Sequence, residues 1–196
     1  NTEGYSNTAI GIYSLRQNTT GDNNVAVGQS ALLSNTTANA NTSVGYNSMY
    51  SNTTGTANVA LGFNALEDNT TGDANTAIGY EALLQTTTSH DNTAIGYYAL
   101  KNTNGVTGNT AVGKAALANN QADFNTAVGF GALQANTTGT GNTAMGDEAL
   151  VTATTQVNNS AFGFEALKRC STGSTNGRST GIGFHAGTNI TTGARN

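Results

Sequence analysis

The 196-residue chain has no proline, no tryptophan and one cysteine, and only 9% of its residues are charged. A lone Cys170 cannot close an intrachain disulfide, so a disulfide-stapled scaffold is excluded. A formal net charge of only −4 removes the self-repulsion that usually accompanies disorder. An isoelectric point near 4.9 lacks the basic excess that nucleic-acid binding requires. No stretch approaches the roughly 18 consecutive apolar residues of a membrane span, so direct membrane insertion is not expected. The sequence begins without Met, a basic leader or a signal-like apolar run, and reads as a soluble segment of a longer or processed chain. In place of the usual quarter of charged residues stand 34 Thr, 28 Asn and 25 Gly, a composition that disfavours an ordinary mixed enzyme domain.

These residues are arranged in one repeat. The segment Asn7-Thr8-Ala9-Ile10-Gly11 returns in variants whose glycines are Gly28, Gly45, Gly62, Gly79, Gly96, Gly113, Gly129, Gly146, Gly163 and Gly183. Their spacing is 17 residues, except for 16 before Gly129 and 20 before Gly183. Numbered from its Asn, each unit follows Asn-Thr-Ala-(Ile/Val)-Gly-(Tyr/Phe)-x-Ala-Leu-x-x-Asn-Thr-Thr-Gly-x-x, and residues 1–6 are the tail of a preceding unit. Alternation of β-branched, small, β-branched, Gly and aromatic around the fourth position has the period of a strand. The Asn-Thr-Thr-Gly that follows is turn chemistry.

A unit this short cannot bury an apolar face alone, so the units must stack as parallel strands about 4.8 Å apart, giving a rod roughly 50 Å long. The expected organisation is an eleven-copy array over residues 1–187, with 188–196 a tail or the start of a transition to another fibre domain. The fourth position is apolar in every copy, and its residues form the expected repeat core: Ile10, Val27, Val44, Leu61, Ile78, Ile95, Val112, Val128, Met145, Phe162 and Ile182. Positions ten to seventeen are almost wholly polar, which argues against a closed single-chain solenoid. The face bearing Thr, Ile and the aromatic is expected to pack within one chain, and the Ala/Gly face to let several chains meet, with polar half-coils outside. Both irregular spacings, at 118–124 and 168–178, fit external loops.

Asn7-Thr8-Ala9-Ile10-Gly11, Asn75-Thr76-Ala77-Ile78-Gly79 and Asn92-Thr93-Ala94-Ile95-Gly96 resemble strand motifs in the heads of trimeric autotransporter adhesins. The longer unit, as in Asn75 to Asp91, is similar to repeats of phage tail fibres and related bacterial fibre proteins. The resemblance covers essentially the whole chain. It implies an all-β fold, a left-handed parallel β-roll or β-helix assembled as a homotrimeric fibre, with attachment and assembly apparatus elsewhere.

Other chemistry is thin. Aromatics at the sixth position (Tyr46, Phe63, Tyr80, Tyr97, Phe130, Phe164, Phe184) could stack on sugars, but their strand parity favours packing against neighbouring coils. Asn18, Asn35, Asn52, Asn69 and Asn136 each head an N-glycosylation pattern, yet their period favours stacked side-chain hydrogen bonds. Adjacent Thr-Thr pairs would face opposite sides, unlike the flat threonine ranks of ice-binding solenoids. Lys168, Arg169 and Arg178 crowd the longest loop and are the candidate receptor-binding residues, with a solvated loop as the plainer reading. Cys170 sits beside two of these cations, which would lower its pKa, and otherwise reads as an incidental exposed thiol. His90 and His185 stand several coils apart, and the pairs Glu67-Asp68 and Asp147-Glu148 alternate across a strand. No catalytic residue, cofactor or metal is therefore expected. The sequence is read as a non-enzymatic extracellular fibre segment of a cell surface or virion, self-associating as a homotrimer, with a surface glycan or other receptor as a further partner. The rivals are a monomeric ice-binding solenoid and a carbohydrate-binding or carbohydrate-active β-helix.

Overall fold

A computed structural model describes residues 2–170 and 178–190. It contains eleven three-residue strands: β1 Thr8–Ile10, β2 Val25–Val27, β3 Thr42–Val44, β4 Val59–Leu61, β5 Thr76–Ile78, β6 Thr93–Ile95, β7 Thr110–Val112, β8 Thr126–Val128, β9 Thr143–Met145, β10 Ser160–Phe162 and β11 Thr180–Ile182. They form one parallel sheet in strict sequential order, each strand pairing the same repeat positions of its neighbours, as in Ala77 opposite Ala94. The molecule is thus an all-β parallel solenoid with one 17-residue repeat per coil. Each coil is numbered below by its strand, and residues at the same repeat position form a column along the rod.

The backbone outside the strands is paired coil to coil as well. In coil 4, Leu66 N donates to Ala82 O (2.9 Å), Asp68 N to Leu84 O (3.1 Å) and Thr70 N to Thr87 O (2.9 Å). The bend after each strand falls on the fifth-position glycine, at φ between 122° and 145°. A Cβ there would stand 2.3–2.6 Å from the carbonyl oxygen of the next glycine in the column, from Gly11 to Gly163. Coils at strand spacing have no room for any other residue at this bend.

Which residues face inward reverses the expectation from sequence. The small third position points into the coil, with Ala26, Ala60, Ala77, Ala94, Ala111, Ala127, Ala144 and Ala161 fully buried. The eighth-position alanines and the ninth-position Leu or Met meet them from the opposite wall. The fourth-position residues point outward: Ile10, Leu61, Ile95, Met145, Phe162 and Ile182 are exposed, and Val27, Val44, Ile78, Val112 and Val128 are only half-buried. The reason is volume. A perimeter of 17 residues encloses a narrow bore that accepts Ala against Ala and Leu but cannot also hold a β-branched row. The Ala face is therefore the innermost layer of one chain, and cannot be where chains meet.

The polar half-coil likewise folds inward and closes the solenoid. Two asparagine columns, at the first and twelfth positions, converge on the fifteenth-position carbonyl of their own coil. Asn41 Nδ2 (2.8 Å) and Asn52 Nδ2 (3.0 Å) both donate to Gly55 O, and Asn58 Nδ2 (2.8 Å) and Asn69 Nδ2 (3.0 Å) to Gly72 O. Between coils, the first-position oxygen accepts the next backbone N–H, as in Asn75 N to Asn58 Oδ1 at 2.9 Å. Twelfth-position amides chain along the rod, as in Asn69 Nδ2 to Asn52 Oδ1 at 2.8 Å. Buried amides satisfied in this way replace the apolar wall that closure was expected to need.

Toward the C-terminal end the twelfth column turns apolar, through Ala153 and Cys170 to Ile190. In coil 11, Gly181 and Gly187 stand where Ala and Leu are usual. Cβ atoms there would lie 2.8 and 2.7 Å from Leu167, whose side chain fills that space.

Candidate functional site

The outward positions of the strand wall make the most extensive feature of the surface. Column four is exposed or half-buried along the whole rod, and column six runs beside it with Tyr46, Phe63, Tyr80, Tyr97, Phe130, Phe164 and Phe184 all exposed. Positions two and four share the outer side of the three-residue strand, whose inner side is mostly Ala, and position six follows the bend at the fifth-position glycine. Columns four and six together span three residues, about 10 Å, and over about ten inter-coil steps at about 4.8 Å they run about 48 Å. An area of about 480 Å² matches the largest apolar patches of monomeric proteins, which are often functional.

The aromatics use their faces on one another. Ring centroids of Tyr46–Phe63, Phe63–Tyr80 and Tyr80–Tyr97 are 5.2, 5.1 and 5.1 Å apart, with planes within 12° of parallel. The column continues through a cation: Lys114 Nζ lies 5.7 Å from the ring centroids of both Tyr97 and Phe130. Only ring edges are presented to solvent between Phe63 and Tyr80, which leaves those two no free face for stacking a sugar. Beside this column Lys101 pairs with Glu81 at 2.7 Å and sits 3.9 Å over the Tyr98 ring. The Glu81 carboxylate holds the Lys101 ammonium above the ordinary lysine value.

The threonines at position thirteen are internally engaged. Thr19 Oγ1 donates to Thr36 O (2.9 Å), Thr53 Oγ1 to Thr70 O (3.0 Å) and Thr137 Oγ1 to Thr154 O (2.9 Å). Hydroxyl donors bound to carbonyls of the next coil are not available to organise water on that wall. Asn18, Asn35, Asn52, Asn69 and Asn136 are at most 2% exposed, with Nδ2 committed to the interior, so the glycosylation pattern they head is structural.

The candidate loop is not a free basic patch. Lys168 Nζ contacts Glu148 Oε2 at 2.6 Å and Glu165 Oε1 at 2.9 Å, and His185 Nδ1 lies 3.3 Å from Glu165 Oε2. Glu148 and then Glu165 raise the Lys168 pKa, and Lys168 in turn lowers that of Glu165. Arg169 follows on the same turn, its N–H donating to Thr188 O (2.9 Å), and Arg178 enters coil 11 with its N–H on Val157 O (3.1 Å). Residues 171–177 of this loop lie outside the described residues. Cys170, expected to be an exposed thiol, is 6% exposed and part of the core cluster, and burial pushes its thiol pKa up rather than down. His90 is a rung of a surface ladder, its Nδ1 accepting the Asp73 N–H at 3.0 Å.

The sequence thus singled out the residues of the surface stripe but placed column four inside. The available signal was size. Positions three and eight are Ala, Ser or Gly in every copy, whereas column four ranges from Val to Phe, a variation that a narrow bore does not tolerate. No protein-family model matches the chain, and no curated protein matches it.

Proposed function

We propose that this chain is a non-enzymatic, extracellular fibre segment that associates with copies of itself through the outer strand face. It resembles the trimeric heads and tail-fibre shafts whose motif it carries. The observation that supports the reading is the outward row of column four, apolar in every coil, with the mostly aromatic column six beside it, broken at Gln29, Lys114 and Asp147. With the mostly threonine column two included, the outer strand face covers about 800 Å², about the area per partner of a stable protein interface. Water would otherwise cover the aliphatic row of column four along the whole rod and the aromatic stack from Tyr46 to Tyr97 beside it. Assembly by this face leaves the turns outside, where exposed fourteenth-position threonines such as Thr20, Thr54, Thr71 and Thr138 keep a fibre hydrated. Each surface turn is then displayed three times, so weak contacts to a cell-surface glycan or other receptor add as avidity. Ion-paired Lys168 makes the 168–178 loop a poorer receptor site than its charge alone suggests.

Light scattering after size exclusion tests the reading. Three copies of 19.8 kDa give an expected mass of about 59 kDa. A folded species that stays at 19.8 kDa up to the highest workable concentration overturns it.

A further inference from the structure

We propose that Phe124 is the stacking platform of a carbohydrate subsite beside the turns, taking one pyranose unit of a glycan. This deepens the receptor part of the reading above and does not require self-association. Phe124 ends coil 7, the coil that is one residue shorter than the rest. It still keeps the seventeenth-position register, since its N–H donates to Thr107 O at 3.2 Å as that of Ala57 does to Asn39 O at 3.1 Å. Elsewhere this column holds Ser, Asn, Ala, Asp and Gly, with Arg178 before the last strand. Phe124 has φ of 59°, a left-handed conformation that strains a bulky L-residue. The strain brings no burial in return, because the side chain is 65% exposed. A rod selected for stability alone would place alanine or glycine here, so the ring points to a contact outside the chain.

The surroundings define the kind of contact. Both column neighbours of Phe124 are glycine. Its ring leans over Gly108, where a Cβ would stand 2.8 Å from Phe124 Cδ1 and 3.0 Å from Cε1. On the other side, Asn158 leans back over Gly141, its Oδ1 2.6 Å from where a Cβ would be. Ring and amide belong to coils two steps, about 10 Å, apart, with no other side chain of the column between them. Hydrogen-bonding groups border this notch. Asp123 Oδ1 accepts the Thr107 N–H at 2.8 Å, its Oδ2 accepts no hydrogen bond among the described residues, and Thr140 of the next coil is exposed. A pyranose matches the pattern, because its C–H face is apolar and its rim carries hydroxyls. The face stacks on Phe124, while the rim reaches the Asp123 carboxylate, Thr140 and Asn158. A lipid chain or an apolar peptide anchor would need a contiguous apolar pocket, which this column does not supply. Phe63 and Tyr80 differ from Phe124 in having both faces taken by neighbouring rings.

Saturation-transfer difference NMR on the full chain tests the proposal, with the methyl glycosides of glucose, galactose, mannose and N-acetylglucosamine as probes. At least one should receive saturation, strongest at the C–H protons of one face, and Phe124→Ala should reduce it at least about fivefold. Alanine is accommodated in this column at Ala57, and far-ultraviolet circular dichroism checks the fold. Phe124→Tyr keeps a flat ring and should retain the transfer. Phe124→Leu is as apolar but not flat, and should lose it. No transfer to any probe, transfer that survives in Phe124→Ala or Phe124→Leu, or transfer lost in Phe124→Tyr overturns the proposal. Light scattering separates the subsite from association. A Phe124→Ala chain of lower mass than wild type would place the ring in a contact between copies, which also overturns the proposal. A wild-type chain that stays at 19.8 kDa yet receives its probe through Phe124 would defeat the self-association reading and leave the subsite standing.

Discussion

Single residues in this rod hold conformations that most side chains avoid, and the repeat stacks them. Leu83 and Glu81 have φ of 52° and 51°, and Ala57 has 56°, at the ninth, seventh and seventeenth positions of their coils. The left-handed region costs an L-residue about 1–2 kcal/mol. At position seventeen the cost brings no burial in return, because Ala57 is exposed, and glycine already stands there in two other coils, as Gly108 and Gly141. Ala57→Gly should therefore stabilise the chain by about 0.5–1 kcal/mol after allowing for glycine's extra freedom when unfolded. A shift of the urea midpoint to higher concentration checks this. Gly79→Ala should do the opposite. Its new Cβ would stand 2.6 Å from Gly96 O at φ 131°, and a loss of more than about 2 kcal/mol is expected in the same titration.

Half-buried carboxyls set a pH dependence at the same scale. Burial raises the pKa of Glu67, with the neighbouring Asp68 charge adding to it, and burial raises that of Asp68. The native state therefore holds these protons more tightly than the unfolded chain. Between the unfolded values, near about 4, and the raised native ones, stability contributed by this pair falls as pH rises. Glu67→Gln combined with Asp68→Asn should increase stability at pH 7 and change it little at pH 3. Equal stabilisation at both values, from parallel denaturation curves, would show that ionisation is not the cause.

At the scale of the element, the strand was readable and the bend and closure were not. Alternation around Thr76-Ala77-Ile78 located β5, a direct consequence of the period of two, but it ran on through Gly79 to the aromatic, whereas the strand ends at Ile78 and the chain bends at Gly79. Alternation cannot say which side is inside when both sides are apolar. Hydropathy favoured Ile78, whereas the width of the bore selected Ala77. The asparagine wall was hidden for a related reason: a buried amide and an exposed one look alike in sequence, and only their common target, such as Gly72 O, separates them. Asn58→Ala tests how much this wall contributes. It removes the acceptor of the Asn75 N–H (2.9 Å) and one donor to Gly72 O, leaving a buried N–H unpaired. A loss of about 2–4 kcal/mol is expected. Asn58→Asp should cost at least as much, since the carboxylate keeps the acceptor but places a charge in the interior. Denaturation midpoints of the two variants near that of wild type would mean that the amide columns accompany closure without supporting it.

For the whole molecule, a coil contacts only its neighbours, so the fold is a one-dimensional stack in which length is a free variable. Every strand pairing repeats the same register, and the ladders of Asn, Thr and glycine run through it without a special centre. Removing residues 58–74 joins Ala57 to Asn75 and restores each column with one rung fewer. Such a chain should fold, and its denaturant m-value should fall by about one part in eleven, in proportion to the surface buried. Removing 58–65 instead deletes β4 and its bend but keeps Leu66 and the second half of the coil. It brings two turn segments together, removes Asn58 from the first asparagine column while keeping Asn69 of the twelfth, and puts the outward row of the coils before it out of line with the row after it. That chain should unfold in two transitions or aggregate, and circular dichroism with light scattering would record either. A half-coil deletion that still unfolds in a single transition would show that the stack tolerates a fault in register, and that coils on either side of it stay coupled without matched columns.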